Sequence, residues 1–296
     1  MVEDIVLVPY HETPIDEVLA VDLPKLPVDL GRDVRLEQLP RQLARRIMDA
    51  CERRGDHEAP QSGAHLYTFV RQNPPAGPQD QWDPDHRLQE CVAISRLIRP
   101  TSIGFKYSAR LRFDDRGQLL SITPVRDGYL PARASVALTD HGDWLDEADV
   151  AALVKLQRQI DSPGLPDRLG RALWLFEYAL RTSVVLVRWM LVVAGVEALV
   201  ITQTERTATQ FAARFCSLAY TFAGLFVPRE TALRAYAQRV MVPHDATLGD
   251  LAREDRELYF ILEAVLQTTL RACLTHEEKQ KWFSSADAVD REWPVR

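Results

Sequence analysis

An α+β domain followed by an all-helical bundle is the architecture this sequence predicts, and three observations carry it. Charge is split unevenly along the 296 residues. Residues 1–150 hold 18 Lys/Arg against 25 Asp/Glu, a net of −7, whereas 151–296 hold 18 against 17, a net of +1. Thirteen of the eighteen prolines precede position 135. The strand signals all lie in that proline-rich half, and helical spacing dominates afterwards. Two domains are expected, 1–140 and 141–296, joined near 135–145.

Composition narrows the class. Apolar residues make up 46% and charged residues 26%, the balance of a soluble folded chain. The opening Met1-Val-Glu-Asp-Ile has no basic region, apolar run or cleavage site, so a cytoplasmic location is expected. Cys51, Cys91, Cys216 and Cys273 show no CxxC spacing, which excludes a zinc ribbon and speaks against a disulfide framework. No metal centre and no cofactor are expected. The net charge of −6 argues against a nonspecific grip on nucleic acid.

In the first domain, Asp4–Tyr10 is an apolar, β-branched run and predicts a strand. Leu36, Leu39, Leu43, Ile47, Met48 and Cys51 recur at helical spacing and predict a helix over 34–54. Leu66–Val70 predicts a short strand within a proline-rich loop. Leu88, Cys91, Val92 and Leu97 place a helix over 87–97. Ile103, Phe105, Tyr107, Ala109, Leu111 and Phe113 then alternate with Gly104, Lys106, Ser108, Arg110 and Arg112, a half-buried strand with a basic outer face. That face is either a binding surface or the solvated side of a sheet. Asp114–Gly117 supplies the turn and Leu119–Thr123 the returning strand. His57, His65 and His86 have no metal-ligand spacing, and 83–86 is expected to form a loop.

In the second domain, Leu145–Ile160 predicts an amphipathic helix with Asp146, Glu147 and Asp149 in its first turn, where the helix dipole favours anions. A breaker cluster at 161–166 follows. From Asp167 to about Thr202 there is no proline, so one long helix with a bend at Gly195 is expected. Its segment Ser183–Val200 approaches membrane-span length, but Arg188 and Glu197 favour a central buried helix over a membrane span. Helices are predicted over 207–226, 229–241 and 248–273, with Pro228 and Pro243 between them. The tail from Glu277 is expected to be partly helical.

The run Ala194-Gly-Val-Glu-Ala-Leu-Val200, then Glu205-Arg206 and Ala212-Ala-Arg214, resembles the helical core of HEPN domains. The similarity is to the Apea-like branch and covers about 167–275. In that branch a tyrosine-arginine segment and a nearby histidine precede the final long helix. Here Leu233-Arg-Ala-Tyr-Ala-Gln-Arg-Val-Met-Val-Pro-His-Asp245 matches and contains Arg239-x4-His244, the spacing of the family's ribonuclease motif. Arg271-x4-His276 has the same spacing. On a continuous helix five residues advance about 500°, so Arg271 and His276 would point about 140° apart. Pro243 disfavours helical angles at Val242, which ends the helix near Met241 and lets His244 turn back towards Arg239. Arg239 and His244 are the catalytic pair this selects. Val240 and Asp245 stand where the family usually has a polar residue and a glycine.

The resemblance implies a homodimer whose shared cleft cleaves RNA without metal. His244 would take the proton from a ribose 2′-hydroxyl, and Arg239 would stabilise charge on the phosphate. Glu197 needs a partner if buried, and Arg239 or Arg214 would hold it ionised. Tyr236 would pack at the cleft edge, and Asp245 would raise the pKa of His244. Two further readings stay open: a catalytically silent HEPN dimerisation and ligand-binding module, and a nucleotide-modified partner of a small nucleotidyltransferase. The first domain would be a sensor or regulator, taking a ligand or a protein partner, in a defence or stress role.

Overall fold

The computed structural model describes residues 2–10, 25–31, 33–52, 68–72, 86–99, 104–126, 145–160, 165–182, 184–241 and 250–295. They fall into two compact units, one reaching to Arg158 and the other running from Gln159. Each is described by itself.

The first unit is built on a six-stranded sheet, all of its described pairings antiparallel. Its strands are β1 (Val2–Tyr10), β2 (Val28–Gly31), β3 (Val34–Glu37), β4 (Thr68–Gln72), β5 (Gly104–Phe113) and β6 (Leu119–Arg126), ordered β2-β3-β4-β1-β5-β6. Residues 34–37 are therefore strand, not the start of a helix. Gly31 and Asp33 adopt left-handed angles (φ 86° and 65°), which fold β2 back on β3. The helix begins only at Arg41. This α1 (Arg41–Glu52) lays Ala44 and Ile47 on Val6, Val70, Ala109 and Leu111 of the sheet. A second helix, α2 (His86–Ile98), buries Leu88, Cys91, Ile94 and Leu97 and packs against β4.

The β5–β6 hairpin closes as expected. Asp114 Oδ1 accepts from the backbone N–H groups of Arg116 and Gln118, and Gly117 takes φ 75°. On the outer face of β5, Arg112 Nε donates to Glu3 Oε2 at 2.9 Å across the β1 ladder, and Arg110 lies 3.9 Å from the same carboxylate. His57, His65 and 83–85 lie outside the described residues, and His86 opens α2.

α3 (Glu147–Ile160) starts with a reciprocal cap. Asp146 Oδ1 accepts from Asp149 N at 2.9 Å, and Asp149 Oδ2 accepts from Asp146 N at 3.0 Å. Arg99, just past α2, binds both carboxylates, which ties α3 to α2. The helix belongs with the sheet unit as far as Arg158.

The second unit is all helical: α4 (Asp167–Arg181), α5 (Val185–Val200), α6 (Thr207–Ala223), α7 (Arg229–Gln238), α8 (Arg253–Thr275), α9 (Glu277–Gln280), a 3-10 turn (Lys281–Phe283) and α10 (Ala286–Glu292). The expected long helix is two helices. Thr182 and Val184 both have extended angles, so the chain breaks there and not at Gly195. Gly195 serves packing instead: a Cβ on it would sit 2.7 Å from Leu266 Cδ2, so its absence lets α8 approach α5. α5 is the central helix. Leu186, Trp189, Val192, Val193, Val196 and Leu199 are buried, and only Val184, Val187 and Met190 are well exposed. Among the described residues the one helix long and apolar enough to cross a membrane is α8, and most of it is buried in the bundle.

Candidate functional site

Arg239 sits where α7 ends. The backbone leaves the helix through tight turns, with Val240 N bonded to Ala237 O and Met241 N to Gln238 O. α7 thus stops at Gln238, three residues before the expected Met241 and ahead of Pro243. The guanidinium lies flat against Tyr236, 3.6 Å from the ring centroid, and one Nη donates to Tyr236 O at 2.7 Å. It has no other partner among the described residues. Four of its five N–H groups have no partner among the described residues.

Tyr236 is buried and fixes this corner from beneath. Its ring packs on Phe211 of α6 (centroids 4.9 Å apart), and its hydroxyl donates to Thr207 Oγ1 at 3.1 Å. One residue earlier, Ala235 O accepts from Trp189 Nε1 at 3.0 Å, which pins α7 to α5. The arginine therefore stands on an aromatic base anchored to two other helices. His244 and Asp245 lie outside the described residues.

The expected pairing of Glu197 does not form: neither Arg239 nor Arg214 bonds this carboxylate, which is half-buried near the end of α5. Arg214, 3% exposed, is consumed elsewhere. Its Nε donates to Trp293 O at 2.9 Å, and its Nη groups bond Val200 O, Thr202 Oγ1, Gln210 Oε1 and Asp290 Oδ1. This arginine satisfies the carbonyl end of α5 and holds α10 to the bundle. Arg168 assists from α4, with bonds to Ala198 O at 3.1 Å and Ile201 O at 2.8 Å. Burial, with Arg171 and Arg214 close by, lowers the pKa of Arg168, and Asp290 partly offsets this.

Two polar devices were missed in the sequence. Gln210, buried on α6, accepts from Thr202 N and donates to Gln203 O and Glu205 O, which organises the α5–α6 turn around Glu205 and Arg206. Arg188 on α5 meets Glu263 on α8 at 3.3 Å, both nearly fully buried, and Tyr259 donates to the same carboxylate oxygen at 2.6 Å. The signal was present: Glu263 interrupts the apolar stripe Leu258, Tyr259, Leu262, Leu266 of α8.

The second spacing match is a helix end. Arg271 lies in the last turns of α8, and His276 follows as its cap residue, Nδ1 within 3.0 Å of Ala272 O and 2.9 Å of Thr275 Oγ1. Two thiols are poor nucleophiles: partial burial raises the pKa of Cys216, and full burial pushes that of Cys273 up to about 12. Among the described residues no group of three or more His, Cys, Asp or Glu could hold a metal ion. The chain matches no protein-family model, no curated protein and no solved structure.

Proposed function

We propose that the helical unit is a HEPN-type RNA endonuclease that cuts without metal, working as a homodimer in a defence or stress role. The observation that carries this reading is Arg239: a guanidinium with one hydrogen bond among the described residues, held on a buried tyrosine at a helix end five residues before His244. A fork fixed at its base and open at its tip suits a phosphate. His244 then acts as the base that takes the 2′-hydroxyl proton. The oxygen attacks the adjacent phosphorus, and the 5′-oxygen leaves and receives a proton. Exposed Trp174 and Tyr178 on α4, with Val187 and Met190 on α5, support pairing through this unit.

The test is cleavage of single-stranded RNA in excess chelator. Products ending in a cyclic phosphate are expected, and His244→Ala should lower the rate about 10²–10⁴-fold. His276→Ala should cut at the wild-type rate. Loss of cleavage in His276→Ala with retention in His244→Ala would select the other motif. A wild-type dimer that leaves RNA intact would favour the silent module, the reading that an apolar, exposed Val240 beside Arg239 supports.

A further inference from the structure

The exposed side of α1 is charged in the opposite sense to what its own helix favours. A helix N-terminus is positive and selects acids in its first turn, yet α1 has none there and begins with Arg41. Arg45 and Arg46 follow, while Asp49 and Glu52 sit towards the negative end. At about 100° per residue, Arg41, Gln42, Arg45, Arg46 and Asp49 share an arc of about 140° opposite the sheet-packed Leu43, Ala44 and Ile47. All five polar side chains are exposed, and they line a cleft of about 490 Å³. No carboxylate among the described residues pairs with Arg41, Arg45 or Arg46. Elsewhere in this unit Arg110 and Arg112 share Glu3, and Arg99 takes two aspartates.

Sequence arithmetic isolates the patch. Residues 41–54 hold five arginines against Asp49 and Glu52, a net of +3 inside a half whose net is −7. An arrangement that opposes the helix dipole and concentrates unpaired cations in an acidic domain gains nothing for the fold. It creates a local field for an anion.

We propose that this face of α1 binds the phosphates of single-stranded RNA. Arg41 and Arg45 are one turn apart, about 6 Å along the axis, so each fork can take a separate phosphate. Arg46 widens the contact and Gln42 offers a donor and an acceptor to ribose or base. The choice of RNA as the polymer rests on the ribonuclease reading; the anion site rests on α1 alone.

The experiment is fluorescence anisotropy of a labelled 20-nucleotide oligouridine with the full chain, run also in His244→Ala so that cleavage does not intervene. Arg41→Glu/Arg45→Glu/Arg46→Glu should weaken binding at least about tenfold. The slope of log affinity against log salt should fall by about two, from roughly 0.7 per phosphate contact on a single strand. The triple glutamine variant, free of added repulsion, should also weaken binding and decides the matter if the glutamate variant misfolds. Because binding is read without cleavage, a protein that binds but does not cut keeps this proposal and loses the nuclease. Equal binding by the wild type and either variant overturns it, as does a wild type that ignores oligouridine or prefers phosphatidylserine vesicles or polyglutamate.

Discussion

In the sheet unit Arg110 and Arg112 meet Glu3 at the surface, with Arg112 56% exposed; in the helical unit Arg188 meets Glu263 with both side chains under 4% exposed. The difference follows from periodicity. A strand sends alternate residues to opposite faces, so a charge on β5 has an outer side to occupy. α5 is enclosed on most of its circumference, and a charge on its buried side, such as Arg188 in its first turn, has no way out. It must bring a partner with it, and the partner must come from another helix. The pair on β5 is replaceable; the pair between α5 and α8 is a structural commitment.

Breaking the buried pair should therefore have the largest effect. Glu263→Ala takes from Arg188 the carboxylate it meets in the core and should cost about 3–5 kcal/mol, read as a lowered denaturation midpoint. Arg188→Met with Glu263→Leu should recover most of that loss, because two apolar side chains need no partner. Recovery of none would mean that the pair itself, rather than freedom from a lone charge, stabilises the bundle.

Asp149→Ala tests a half-buried case. It removes one side of the α3 cap and one ligand of Arg99 and should cost about 1 kcal/mol. Glu3→Ala, at the surface, should cost under about 1 kcal/mol, and the difference should vanish in molar salt. A loss as large as that of Glu263→Ala would erase the contrast between the units.

The smallest effect concerns Glu37 on β3. Burial, then the neighbouring Asp4, raise its pKa above the ordinary 4.5, while Arg35 pulls it down. The native state then binds this proton more tightly than the unfolded chain. The ionised carboxylate weakens the fold above the raised pKa, and the penalty fades as pH falls through it towards 4.5. Glu37→Gln should raise the melting temperature slightly at pH 7 and leave it unchanged near pH 4.

Much of this architecture was legible in the sequence. The β5–β6 hairpin alternates and carries its own turn, and Gly224 and Pro228 mark the end of α6 and the start of α7. The β2–β3 hairpin was not legible, since Leu36, Leu39 and Leu43 keep helical spacing across a strand-to-helix boundary. The break between α4 and α5 lacks both glycine and proline, so nothing local announced it. At the candidate site, a helix end near Arg239 was legible from the sequence, although α7 stops at Gln238 and not at the expected Met241. Glu197 was expected to pair with an arginine because its helix is apolar, but it is only half-buried, and burial depends on which helices arrive. For the same reason Glu263 was overlooked: it is a partner only once α5 and α8 lie together.

The clasp between Arg214 and Asp290 spans 76 residues, which bears on the order in which the chain is made. At about 5–20 residues per second, α10 leaves the ribosome roughly 4–15 s after Arg214 does. During that interval the α5 carbonyl end and Arg214 lack the Asp290 carboxylate and the Trp293 carbonyl that complete them. The bundle therefore finishes its assembly only after α10 has been translated, and any enzyme built on α5 and α7 stays incomplete until then.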